Sequence, residues 1–115
     1  MPYRYPTIAM SRHAHIVYFT LNDQSHSAIE AFTAQCLEHL DGHDGLIFFA
    51  VGVRDRELNR PVNGQFDVSL HMVFDSRKAH DDYQVSKRHQ VFIDQNKDLW
   101  KDCRVFDSTL DAGRS

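Results

Sequence analysis

The chain has no basic excess: 13 Lys and Arg stand against 16 Asp and Glu, for a formal charge of −3. A phosphate-binding face needs a surplus of cations, so no nucleic acid partner is expected. No run approaches the roughly 18 apolar residues that a membrane span needs, so no membrane partner is expected either. The opening MPYRYPTIAM lacks the apolar core of a signal peptide. The two cysteines, Cys36 and Cys103, form no CxxC pair and no disulfide framework. Both read as buried small apolar groups in a reducing, cytoplasmic setting. The chain also lacks a phosphate-cradling glycine loop and a nucleophile elbow.

What is present is ordinary in bulk and unusual in one respect. The 115 residues suit one domain with a modest core. Hydrophobic content of 42% and charged content of 25% are globular values. The eight histidines stand out, because they make the charge sensitive to pH between about 5 and 8.

Residues 1–12 hold two prolines and no period, and read as a flexible N-terminal arm. Residues 13–110 form the domain and 111–115 a C-terminal tail. The first strand is expected at His15–Leu21, apolar on both faces, as in a strand covered on both sides. Asn22 to Ser25 supplies turn and cap chemistry. A helix over about Ser27–Leu40 follows, with Ile29, Phe32, Cys36, Leu37 and Leu40 on one face. Asp41-Gly42 and Asp44-Gly45 stop it. The second strand is Leu46–Val53. Arg54–Gln65, with Pro61 and Asn63-Gly64, is a long connection.

The third strand, Phe66–Phe74, has the cleanest alternation in the chain: Phe66, Val68, Leu70, Met72 and Phe74 share a face. A short helix over about Ser76–Tyr83, a second over about Ser86–Asn96, and a last strand over about Lys101–Thr109 complete the order. That order, β-α-β-β-α-β, is the α+β, ferredoxin-like arrangement.

Both helices of such a fold cover one face of an antiparallel sheet. Ile16, Tyr18, Phe48, Val73 and Phe106 supply the other face. Each large side chain left in water forfeits roughly 1.5–3 kcal/mol of burial. Together they make a patch too large for a soluble monomer. A homodimer closed through the open sheet face is therefore expected.

The chain resembles the Dabb family of stress-responsive dimeric α/β-barrel domains. The likeness rests on HIVYF at 15–19, VGV at 51–53, FDVSLHMVFDS at 66–76, Tyr83 with His89, and WKDCRVFD at 100–107. No one of these is specific; their order and spacing are. The resemblance implies protomers whose sheets share a dimeric α+β barrel. One plant member is a cyclase that closes a linear polyketide by an aldol-type condensation. Its strand-1 histidine, tyrosine and second histidine fall on His15, Tyr83 and His89. Val17, Phe19, Leu70 and Trp100 fall where that enzyme lines its pocket, and Phe32, Phe92 and Val105 join them as ligand-binding candidates. Many members read His-Pro-x-His at the second histidine, whereas here the stretch is Ser86-Lys87-Arg88-His89. No cofactor is implied. The antibiotic-biosynthesis monooxygenase type of the same assembly matches less well, since no haem-ligand pattern is present.

Tyr83 and His89 lie about 600° apart on an unbroken helix, so they meet only if the chain breaks between them. Ser86 is the cap that would restart it. His15, Tyr83 and His89 could then converge between sheet and helices. A histidine can remove a proton from a carbon beside a carbonyl, and a tyrosine hydroxyl can donate to the developing oxyanion. The same residues have a structural reading: His15 bonded to backbone, His89 pinning the break, Tyr83 in the core with its hydroxyl satisfied. Histidine richness alone does not make a metal site. His13 and His15 share a strand face, and His71, His80 and His89 are further candidate ligands, but His71 falls on the opposite sheet face, which splits the set, and no metal is expected.

Overall fold

A computed structural model describes residues 7–58, 60 and 65–113. Pro61, Asn63 and Gly64 of the expected long connection, and residues 1–6 of the expected arm, lie outside the described residues. The elements are β1 (Thr7–Leu21), α1 (His26–Leu40), β2 (Leu46–Val53), β3 (Val68–Phe74), α2 (Arg77–Gln84), α3 (Lys87–Asn96) and β4 (Trp100–Ala112). A single 3₁₀ turn over Lys97–Leu99 joins α3 to β4. The four strands form an antiparallel sheet in the order β2-β3-β1-β4. This is the ferredoxin-like α+β arrangement that the element order predicts.

The two outer strands of the sequence are longer than their side-chain patterns suggest. β1 begins at Thr7, inside the stretch read as an arm, and β4 ends at Ala112, inside the stretch read as a tail. Thr7 pairs with Ala112 across an irregularity in the β1–β4 ladder. Backbone hydrogen bonding carries these ends where no apolar period marks them.

One face of the sheet packs against the helices. Val17, Phe19 and Leu21 of β1 meet Val68, Leu70, Met72 and Phe74 of β3, and Ile29, Phe32, Cys36 and Leu40 of α1 with Phe92 of α3 close the core. α1 starts where Ser25 Oγ accepts from Ala28 N. Leu37, placed by its spacing on the buried face, is about half exposed, because the buried stripe runs Ile29–Phe32–Cys36–Leu40 and leaves it at the edge. Cys36 is buried as expected. Cys103 is exposed, since it stands on edge strand β4, whose helix-side face no helix covers fully. Both thiols are free.

Two structural groups hold the ends of this core. The Asp67 carboxylate, fully buried, accepts from Leu21 N at 2.8 Å and Gln24 Nε2 at 3.1 Å, and faces Arg56 at 3.5 Å. It fixes the turn out of β1 to the start of β3. At the other end, Gly45 adopts φ +78°, and a Cβ there would stand 2.5 Å from Ala79 Cβ and 2.8 Å from Asp75 Oδ1. The lack of a side chain lets α2 sit tight behind β2.

Gly45→Ala must place a left-handed backbone and a clash at the same position. It is expected to lose about 1–3 kcal/mol of stability or more in urea unfolding. An unchanged midpoint would refute this account of how α2 is seated.

Candidate functional site

The helical layer is interrupted where the site lies. α2 ends at Gln84, and Val85 leaves the helical track with its N–H bonded to the Tyr83 carbonyl. Ser86 then caps α3: its Oγ accepts from His89 N at 3.2 Å and donates to the Tyr83 carbonyl at 2.8 Å. One hydroxyl therefore ties the end of one helix to the start of the next. The break redirects the chain so that the Tyr83 and His89 rings meet edge to face, 4.8 Å between centroids. The His15 ring lies 5.9 Å from Tyr83. The three residues thus converge, as the spacing with a break at Ser86 predicts.

They line a cleft of about 230 Å³ between β1, β4 and the two short helices. Val17, Phe19, Leu70, Phe92, Trp100 and Val105 supply its apolar wall. Phe32 stands behind that wall, 4.9 Å from Phe19 and 5.8 Å from Phe92 by ring centroids, rather than in it. The indole Nε1 of Trp100 is buried without a hydrogen-bond partner among the described residues. A larger surface groove of about 690 Å³ runs beside α1, past Ile29, Leu37 and Val53. No candidate residue lines it, so the chemistry of the chain is concentrated at the smaller cleft.

The polar end of the cleft holds more than the three expected residues. Asp107, the β4 partner of His15 in the ladder, places Oδ1 at 2.7 Å from His15 Nδ1 and 2.9 Å from His13 Nε2. His80 Nε2 lies 3.4 Å from the same oxygen and 3.3 Å from His15 Nδ1. The Gln84 amide approaches His15 Nε2 at 3.4 Å. His13, His15 and His80 are all buried.

His71, bonded to Ser69 Oγ, pairs opposite Ile16 and so takes the other face of the sheet, as expected. The run Lys78 to Asp82 reads as solvated surface, and its i, i+4 ion pairs are exposed, but His80 within it turns inward. The sequence offers His80 only as a candidate metal ligand; its place three residues before Tyr83, on the same helical face, is what brings it to the cleft. Asp107 could not have been found from the sequence, because it meets His15 through a ladder between strands at opposite ends of the chain.

Burial sets the charge states. It lowers the His15 pKa below the usual imidazole range, against the opposing hydrogen bond with Asp107. Burial also lowers that of His89, helped by the nearby imidazoles. Tyr83 is pushed well above the ordinary phenol range by burial. For Asp107, partial burial raises the pKa, but the hydrogen bonds from His13 and His15 outweigh it and keep the carboxyl below its usual range. At neutral pH the cleft therefore presents neutral His15 and His89, an un-ionised Tyr83 and an ionised Asp107.

The sequence profile of the stress responsive A/B barrel domain, Dabb, matches residues 14–110. The chain belongs to the Dabb family. No curated protein matches it in sequence. Among solved structures, a Dabb family protein with a ferredoxin-like fold from Mesorhizobium loti superposes with a TM-score of 0.74 at 22% identity, covering 90% of this chain and all of that one. A dimeric ferredoxin-like protein of unknown function from Thermobifida fusca gives 0.74 at 17% identity, over 95% of this chain and 100% of the other. The hydroxynitrile lyase of Passiflora edulis gives 0.70 at 15% identity, over 90% and 97%. At these identities the likeness is one of fold. Among the described residues of this Dabb domain, no helix is long and apolar enough to cross a membrane.

The lowered His89 pKa has a sign that can be measured. In the unfolded chain His89 titrates near the ordinary value of about 6.5, so below that pH the unfolded state binds more protons than the folded one. Stability from this group is complete above about pH 6.5 and is lost as pH falls through the folded pKa. His89→Gln should lose less stability than the parent chain between pH 7 and pH 5 in urea titrations. Parallel curves for the two proteins would contradict it.

Proposed function

We propose that this Dabb domain is a homodimer that binds a small, mostly apolar molecule in the cleft of each subunit. His89, with Tyr83 and His15, then performs acid–base chemistry of the cyclase, isomerase or lyase kind. One observation carries the reading: two neutral imidazoles and an un-ionised phenol meet at one end of a cleft whose other walls are Val17, Phe19, Leu70, Phe92 and Trp100. His89 is the base for a proton on carbon beside a carbonyl. Tyr83 donates a hydrogen bond to the oxygen on which negative charge develops. The cleft is smaller than the roughly 300–1,000 Å³ of drug-sized sites, which limits the ligand to a compact one.

The dimer follows from the bare side of the sheet. Phe48 and Phe106 are each more than half exposed there. Ile16 and Tyr18 of β1 and Val73 of β3 lie between them in the register. A second copy closing over this face removes the patch from water. The Thermobifida fusca neighbour is itself described as dimeric. The competing reading is a stress or assembly protein that takes no ligand. The small cleft volume and the large exposed sheet face favour it.

A fragment screen by ligand-observed NMR, using small carbonyl compounds, separates the two. Binders should be displaced or weakened at least about tenfold in His89→Ala and Tyr83→Phe. A folded His89→Ala that keeps every binder unchanged would count against the catalytic assignment, and an absence of binders would favour the assembly reading. Light scattering should give twice the 13.4 kDa chain mass, falling to one chain in Phe106→Asp. A monomeric parent chain would overturn the dimer.

A further inference from the structure

We propose that His13 Nε2, His80 Nε2 and Asp107 Oδ1 form a binding site for one divalent first-row transition ion of the zinc class. The site leaves a coordination position open toward the cleft. This goes beyond the acid–base reading and does not rest on it.

The three donor atoms lie within 4.8 Å of one another. His13 Nε2 is 2.9 Å and His80 Nε2 3.4 Å from Asp107 Oδ1. Two ligands bound to one metal at about 2.0–2.1 Å in tetrahedral geometry stand about 3.3–3.4 Å apart, so each imidazole nitrogen already stands within tenths of an ångström of that separation from the carboxylate oxygen. Two imidazoles and one carboxylate are a donor set that holds zinc or another first-row divalent ion, and three protein ligands leave the fourth position free. Asp107 and His80 line the cleft, whereas His13 stands behind them, so the open position faces the cavity.

The hydrogen bonding leaves the right atom facing the site. Asp81 Oδ1 lies 3.0 Å from His80 Nδ1, and a carboxylate only accepts, so Nδ1 carries a proton. The Nε2 edge of the buried ring is then turned to the Asp107 carboxylate at 3.4 Å.

The surroundings match what orients metal ligands elsewhere. The Asp81–His80 hydrogen bond fixes the tautomer that frees Nε2, and Arg77 Nε holds Asp81 at 2.8 Å. On the other side, His15 Nδ1 at 2.7 Å steadies Asp107 without adding a ligand. His15 is thus a positioning residue for the ion as well as a wall of the cleft.

The test uses the full, tag-free chain, dialysed against chelator and titrated with Zn²⁺ by calorimetry and with Co²⁺ by visible absorption, with no small organic molecule added. One ion per chain and tetrahedral-type Co²⁺ bands are expected. Asp107→Asn should abolish binding. Asp81→Asn, an exposed change that leaves the core intact, should weaken it about 10–100-fold. His26→Ala, which removes a fully exposed imidazole, should leave it unchanged. The site is overturned if the parent chain takes up less than one ion at saturation. It is equally overturned if Asp81→Asn binds like the parent, or if His26→Ala loses affinity as Asp81→Asn does. Failure here leaves the fragment-binding result of the cleft untouched, since that measurement needs no metal.

Discussion

The alternation of β1 is the constraint from which the rest follows. From His13 to Leu21 its odd residues turn toward the helices, but they change character along the strand. His13 and His15 are polar, whereas Val17, Phe19 and Leu21 are apolar. Because β1 lies between β3 and β4, both neighbours must answer each half in register. Leu70 and Val105 oppose Val17, and Asp107 opposes His15. A one-residue slip would swap every side chain to the other face. It would bury Ile16 and Tyr18 in the core, and it would turn both histidines away from α2. The division of the cleft into a greasy end and a charged end is therefore a property of a single strand, imposed on its partners.

The helices complete this division by failing to be one helix. An unbroken run from Arg77 to Asn96 would bury its apolar residues in one stripe and carry Tyr83 and His89 to different sides. The break at Val85 and Ser86 lets α2 lean its His80 and Tyr83 on the polar half of β1. α3 lays Phe92 over the apolar half. The cost of the break is small, because the Ser86 hydroxyl satisfies one orphan donor and one carbonyl at once.

Much of this was legible in the chain. The bounds of β2, the restart at Ser86 and the meeting of Tyr83 with His89 follow from turn chemistry and helical geometry within a few residues. The two-sided apolar character of the sheet is visible in Ile16, Phe48 and Phe106. What could not be read is whatever depends on long-range register. Asp107 lies 92 residues from His15, and nothing local says which β4 residue will oppose it. The exposure of Cys103 and the outward turn of Leu37 fail for a related reason. Period tells which residues share a face, but not whether another element reaches far enough to cover them. The polar cluster was therefore foreseen in part, through His15, Tyr83 and His89, while the carboxylate that organises it was not.

The two thiols differ in a way that can be put to use. Cys36 is sealed in the core, and burial pushes its pKa up to about 12, so almost none of it is thiolate in neutral solution. Cys103 is open to solvent and stands on the wall of the cleft beside Val105. A thiol-reactive fluorophore would therefore settle at one place on the native chain without any engineered cysteine. The molecule comes with its own attachment point for watching whatever enters the cavity.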